Sequence, residues 1–402
     1  MNDYEPLDIS TVYNAAAETS AEGERPPPGV QSFQGIPFLM GGGANGDGPA
    51  LLALDDTSSS VLIPVNREAR GLVFAHHLVV PEIREPEEVG QPVADYVFTL
   101  SGGKRLTVPV RGRFEIAPPC PKAATLRLGS AGLPGLPFRA VPDQKDILSP
   151  RHGGPWGDAG LRQKESQQVP ATWNYLWSWT NPEPDLAIES VEIVPGGPPF
   201  AIAAVTLRLA DEEPFARQGR RPILVALKDP ADAGKPFDLD VEVDRGVATY
   251  MQPLPQGSAD DFLQDPLKGW GQELNTSSEG AYVEVSAVPS ATVKVTQGQE
   301  VVGEVRWGEV EQSGSAEGPR MRVQLADKGK NWVHVTVLDD ETGRPVPCRV
   351  HFRSPEGIPY QPHGHHNHLN SNMYTWHVDI GSDVRLGQIT YAFIDGTCQG
   401  WL

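Results

Sequence analysis

Four of the ten histidines in this 402-residue chain fall within six residues, in Pro362-His363-Gly364-His365-His366-Asn367-His368. Imidazole binds divalent metals and carries protons near neutral pH. Side chains alternate along an extended segment, so His363 and His365 would share one face and His366 and His368 the other. Two imidazoles on one face can clamp a zinc-like divalent cation, with Asp379 or Asp383 supplying an oxygen. His377 follows Trp376 and could approach from the next strand. The competing reading is a Gly/Asn-rich loop whose histidines bond locally or pack on a neighbouring domain. No third ligand is fixed by spacing, so both readings stand.

A second constellation is aromatic. Trp173, Tyr175, Trp177 and Trp179 recur at intervals of two, which places all four on one face of a strand. Exposed, such a stripe would stack on sugar rings, with Asn181 and Glu183 reaching hydroxyls. Buried, it is an aromatic core face. Other stretches carry less chemistry. Gly41-Gly42-Gly43-Ala44-Asn45-Gly46-Asp47-Gly48 lacks the Lys-Ser/Thr of a phosphate loop and reads as a turn. His76-His77 lie mid-strand, one expected inward and one outward. Gly-x-Ser-x-Gly is absent, and no carboxylate pair has the context of a glycosidase.

The elements that must position these residues are short. The chain holds 42 glycines and 39 prolines, which punctuate it too often for long helices. Alternating Val, Thr and aromatic runs predict strands over 60–65, 94–100, 281–285, 292–295 and 332–337, each with one buried face. One helix is expected, with Ser258 capping Asp260-Asp261-Phe262-Leu263 and Asp261 at its third position. The fold class is therefore all-β, as tandem β-sandwich domains with very little helix. Residues 1–30 read as a mobile polar lead-in, 31–210 as a first sandwich with a long loop over 143–170, 211–328 as a second, and 329–402 as a further β unit. The last residues, Thr397-Cys398-Gln399-Gly400-Trp401-Leu402, start an apolar strand where the sequence stops. The chain thus reads as a fragment, or as one whose final partner strand comes from elsewhere.

Composition narrows the partners. A formal charge of -19 argues against nucleic acid and anionic membranes, which require clustered Lys and Arg. No apolar run reaches membrane-spanning length. The acidic start Met1-Asn2-Asp3-Tyr4-Glu5 lacks a secretory signal, so a cytoplasmic location is expected. Three separated cysteines, Cys120, Cys348 and Cys398, form neither a disulfide framework nor a zinc pattern. Cys348 and Cys398 could face each other as thiols in one sheet.

Two stretches carry a resemblance. Phe33-Gln34-Gly35-Ile36-Pro37-Phe38, Ser60–Val65 and Gly71–His77 resemble the opening of a galactose-binding-like sandwich, and Trp177–Pro184 with Ile188–Ile193 its closing strands. Val335–Val350 resembles the first hairpin of a prealbumin-like, carboxypeptidase-regulatory-type sandwich. With the histidine loop and Asp379–Gly387, residues 30–402 are similar to the non-catalytic N-terminal half of carbaryl-esterase-like bacterial metallohydrolases of the polymerase-and-histidinol-phosphatase superfamily. In that family the metal ligands lie in a later barrel opened by an Asp-x-His-x-His motif. Here the His-x-His is flanked by Pro362 and Gly364, and no barrel ligand carries over. The resemblance implies a non-catalytic accessory region that positions or shields a metal-dependent catalytic barrel, on the same or a separate chain. A stand-alone carbohydrate-binding protein and a hydrolase with its own metal at the histidine loop are the alternatives.

Overall fold

The computed structural model describes residues 3–16, 27–42, 48–79, 89–119, 137–140, 147–150, 162–165, 174–215, 219, 221–249, 251–272, 277–326, 329–354, 357–360, 362–365, 368–369, 382–383 and 385–402. The chain is mostly β, in antiparallel sheets with three short α-helices. It divides into two compact units, Met1–Gln144 with Gln168–Ala216, and Lys145–Gln167 with Arg217–Leu402.

In the first unit a seven-stranded sheet runs Phe138–Arg139, Tyr175–Thr180, Gly71–Leu78, Phe200–Arg208, Pro49–Leu54, Ala15–Ala16, with Tyr4–Leu7 also paired to Phe200–Arg208. A four-stranded sheet runs Val61–Arg67, Ile188–Pro195, Pro92–Leu100, Lys104–Arg111. One apolar cluster takes Phe74, Leu72 and Val205 from the large sheet and Ile63, Tyr96, Phe98 and Val191 from the small one. A second cluster covers the other face of the large sheet, where Phe33, Ile36, Phe38 and Met40 of a hairpin pack on Val73, Ala75, Leu176 and Ala203. The large sheet is therefore buried on both sides, and every residue of Gly71–Leu78 and Phe200–Arg208 is buried.

That two-sided burial corrects two expectations. Both His76 and His77 point inside, and neither faces water. The lead-in is not a free segment over its whole length: Tyr4 is buried and Tyr4–Leu7 forms a strand of the large sheet. Residues 17–26 lie outside the described residues. Within the stretch expected to be a long loop, Ile147–Pro150 pairs with Arg162–Glu165.

In the second unit a six-stranded sheet contains Gly246–Ala248, Gly280–Ala287, Arg221–Leu227, Met321–Leu325 and Ser315–Glu317 in that order, with Gln252–Pro253 also paired to Gly280–Ala287. A three-stranded sheet holds Leu239–Val243, Thr292–Gln297 and Glu300–Arg306. Val225, Val283, Val241, Val295, Met321 and Val323 fill the space between, and Trp307 and Val310 of the helix Trp307–Ser313 close it. The expected helix occurs as Ala259–Gln264. Ser258 Oγ accepts from Asp261 N at 3.2 Å, and Asp261 Oδ2 accepts from Ser258 N at 2.7 Å. These bonds, led by the Ser258 backbone N–H, hold the Asp261 carboxyl below the usual carboxylate range.

Two packing constraints in the first unit have measurable consequences. A Cβ at Gly71 would sit 2.1 Å from the Trp179 carbonyl oxygen and 2.8 Å from Arg208 Nη2. The buried Arg208 fork is fixed there, donating to Arg70 O at 3.1 Å and Thr180 Oγ1 at 2.7 Å. Gly71→Ala is therefore expected to cost about 3 kcal/mol in urea unfolding, because strand and guanidinium must both yield. His76 is fully buried, with Nδ1 3.0 Å from Tyr96 Oη and Nε2 2.8 Å from Glu115 O.

 The contact to the Glu115 carbonyl is thus a full hydrogen bond, and the ring is held on both nitrogens. Loss of hydration pushes its pKa down to about 4. The unfolded chain takes up this proton near pH 6.5 and the folded chain does not. Stability is unaffected above pH 6.5 and falls as pH drops from there toward 4, by up to about 1.4 kcal/mol per pH unit. Urea midpoints at pH 7 and pH 5 should differ less in His76→Gln than in the wild type.

Candidate functional site

The residues singled out by chemistry divide between a core and a surface. Tyr175 is fully buried and its hydroxyl donates to Pro118 O at 3.1 Å. Trp179 stacks on Phe98 with ring centroids 3.7 Å apart, and Trp177 packs 5.5 Å from Phe74. Asn181 is buried, its amide donating to Ala69 O and Leu186 O. Of the two readings open for these residues, a sugar-stacking platform and an aromatic core face, the described rings take the second, between the two sheets. Trp173 lies outside the described residues.

The surface lies in residues 329–402, which belong to none of the three apolar clusters. Trp332–Thr336 pairs antiparallel with Thr397–Trp401, so the last strand finds its partner within this chain. Register sets Trp332 opposite Trp401, and residues directly opposite share a face. Their rings lie 5.5 Å apart at 71°, and they remain 46% and 54% exposed. Trp332 Nε1 donates to Gln399 Oε1 at 3.0 Å. Cys348 and Cys398 do not share a sheet: Cys348 pairs with Ile394, and Cys398 with Val335. Burial, and secondarily the charge of Cys348, raises the Cys398 pKa, which keeps that thiol protonated at neutral pH.

The histidine loop joins this surface. His363 N donates to Gln399 O at 2.7 Å, and its ring sits edge-on to Trp332 at 5.6 Å. Over 362–365 the extended geometry expected for the loop is replaced by a turn. Gly364 has φ +76, and His365 N donates back to Pro362 O at 3.2 Å, closing a turn. His363 and His365 therefore serve different partners, since His365 Nδ1 lies 2.9 Å from Phe393 O. His366, His377 and Asp379 lie outside the described residues. The backbone of His368 pairs with Asp383. Among the described residues, no group of three His, Cys, Asp or Glu is arranged to hold a metal ion. The described residues also contain no helix long and apolar enough to cross a membrane.

A feature that motif reading missed lies nearby. Arg349, His351 and Arg353 alternate along one extended stretch and line a groove of about 630 Å³ with Phe262, Leu263, Leu267, Lys268 and Trp270. The helix Ala259–Gln264 supplies Phe262 and Leu263, and its capping box fixes its start. Gly271 N donates to Leu386 O at 3.1 Å and Gln388 N to Gly269 O at 3.1 Å, tying this wall to the strand region beneath Tyr391. Arg353 Cζ lies 3.0 Å from the Phe262 ring centroid, and Arg349 Cζ lies 5.2 Å from Tyr391 and 5.5 Å from Phe393. His351 Nδ1 is 2.6 Å from Thr390 O. The signal was present in the sequence, as basic residues at every second position of Arg349-Val350-His351-Phe352-Arg353.

The indole pair generates a direct expectation. Trp332→Ala should cost about 1 kcal/mol, because the contacts it loses, to Trp401, Gln399 and His363, are all partly exposed. The near-ultraviolet dichroism of the coupled indoles should fall with it, while the far-ultraviolet spectrum stays. Comparison of the chain with protein families, with curated proteins and with solved structures gives no match.

Proposed function

We propose that this chain is a non-catalytic accessory β protein that seats a metal-dependent hydrolase domain against its C-terminal β unit. The carrying observation is the aromatic surface that this unit leaves uncovered. Along Trp332–Thr336 exposed and half-buried residues alternate and none is buried, while Trp332, Trp401 and Phe393 expose 46%, 54% and 61% of their surface. Large aromatic side chains left exposed, with Trp332 and Trp401 on one face, are the composition of a docking surface. His363 and His365 stand on its margin, one beside the indoles and the other beside Phe393. In this reading they border the partner's entrance and coordinate nothing themselves. The resemblance of residues 30–402 to the N-terminal half of carbaryl-esterase-like metallohydrolases supplies the identity of the partner.

Reconstitution tests the reading. The chain, mixed with a separately produced metal-dependent barrel domain of that family, should form a complex visible in analytical ultracentrifugation. Trp332→Ala/Trp401→Ala should weaken it by about a hundredfold, as expected for two central aromatic contacts, and leave each component folded. Ester turnover by the purified chain alone, or a complex indifferent to both indoles, would overturn it.

A further inference from the structure

We infer that the groove between the helix Ala259–Gln264 and the Arg349–Arg353 stretch binds an organic monocarboxylate, its carboxylate held by Arg353 and Arg349 and its apolar body lying on Leu263, Leu267 and Trp270. The inference is independent of whether a partner domain docks elsewhere on this unit.

Charge is the first ground. The chain carries a net charge of -19, yet the groove gathers Lys268, Arg349, His351 and Arg353, and no carboxylate is among the described residues that line it. Asp261 lies 3.8 Å from Lys268 Nζ, but its Oδ2 already accepts from Ser258 N and Oγ. Elsewhere in the unit Arg320 is paired with Asp232 at 2.6 Å and Lys294 with Glu242 at 2.7 Å.

The state of Arg353 is the second ground. Its guanidinium stacks on Phe262, and its Nη1 is shielded from solvent with no hydrogen-bond partner among the described residues. Burial lowers its pKa from the ordinary guanidinium value. A partly desolvated cation without a counter-charge favours an occupant that brings one. A planar guanidinium stacked on a ring presents its N–H edge in plane, which suits a planar carboxylate.

The walls are the third ground. Leu263 and Leu267 are 81% and 73% exposed, on a segment whose backbone is fixed by the capping box and by the bonds to Leu386 and Gln388. Exposed leucines on a rigid wall beside the Arg353 guanidinium, which no described carboxylate pairs, suit an amphipathic anion better than a bare one.

Titration calorimetry on the full chain tests this with phenylbutyrate, its neutral amide and inorganic phosphate. Phenylbutyrate should bind with a dissociation constant on the order of 0.1–1 mM. The amide and phosphate should give no saturable heat. Arg353→Gln should weaken binding about tenfold, and Leu263→Gln/Leu267→Gln should do so without altering the melting temperature, since both leucines are exposed. If Arg353→Gln does not fold, Arg349→Gln serves in its place. Equal binding of acid and amide, saturable phosphate binding, or no binding of phenylbutyrate would each overturn the assignment.

Discussion

Antiparallel pairing of Trp332–Thr336 with Thr397–Trp401 closes a long loop, and that closure organises the chemically distinctive surface of the chain. Closing it costs conformational entropy that grows only slowly with length. The return comes from a ladder of backbone hydrogen bonds extended by the Asn331–Leu402 pair. Between the two strands lie the histidine turn, the Arg349–Arg353 stretch and the Tyr391–Phe393 aromatics. Each is placed by reference to the ladder: His363 bonds to Gln399 O, and Arg349 lies over rings of the strand that leads into Thr397–Trp401.

The two units manage their apolar surface differently. In the first, the central sheet is covered on both faces, so even a histidine becomes a neutral core residue, satisfied by Tyr96 and Glu115. In the second, the Arg221–Leu325 region has a closed core, but the described residues of 329–402 leave aromatic rings at the surface and bury scattered apolar side chains such as Ile358, Ile389 and Ile394. Uncovered aromatic surface near exposed cations favours binding over further packing. A left-handed Gly364 turns the chain between His363 and His365, and each ring takes a separate neighbour.

Much of the local structure was legible in the sequence. Period-two alternation located strands such as Val61–Arg67, Gly280–Ala287 and Trp332–Thr336, and Ser258 with Asp261 marked one capped helix, because both signals depend on neighbours in the chain. The spacing of Tyr175, Trp177 and Trp179 was equally legible, but it was compatible with a platform or a core. The choice required knowing that Phe74 and Phe98 lie opposite. Arg349, His351 and Arg353 were visible as a pattern and lacked meaning without the wall of Phe262, Leu263 and Trp270, which lies far away in sequence.

The sequence by itself determined that the chain is β-rich, acidic and punctuated by turns, since propensity, periodicity and charge are local properties. Only the tertiary structure decided which faces are covered. Burial depends on what a distant strand brings into contact, and it turned His76 inward, put the aromatic stripe into a core and left Trp332, Trp401 and the basic groove at the surface.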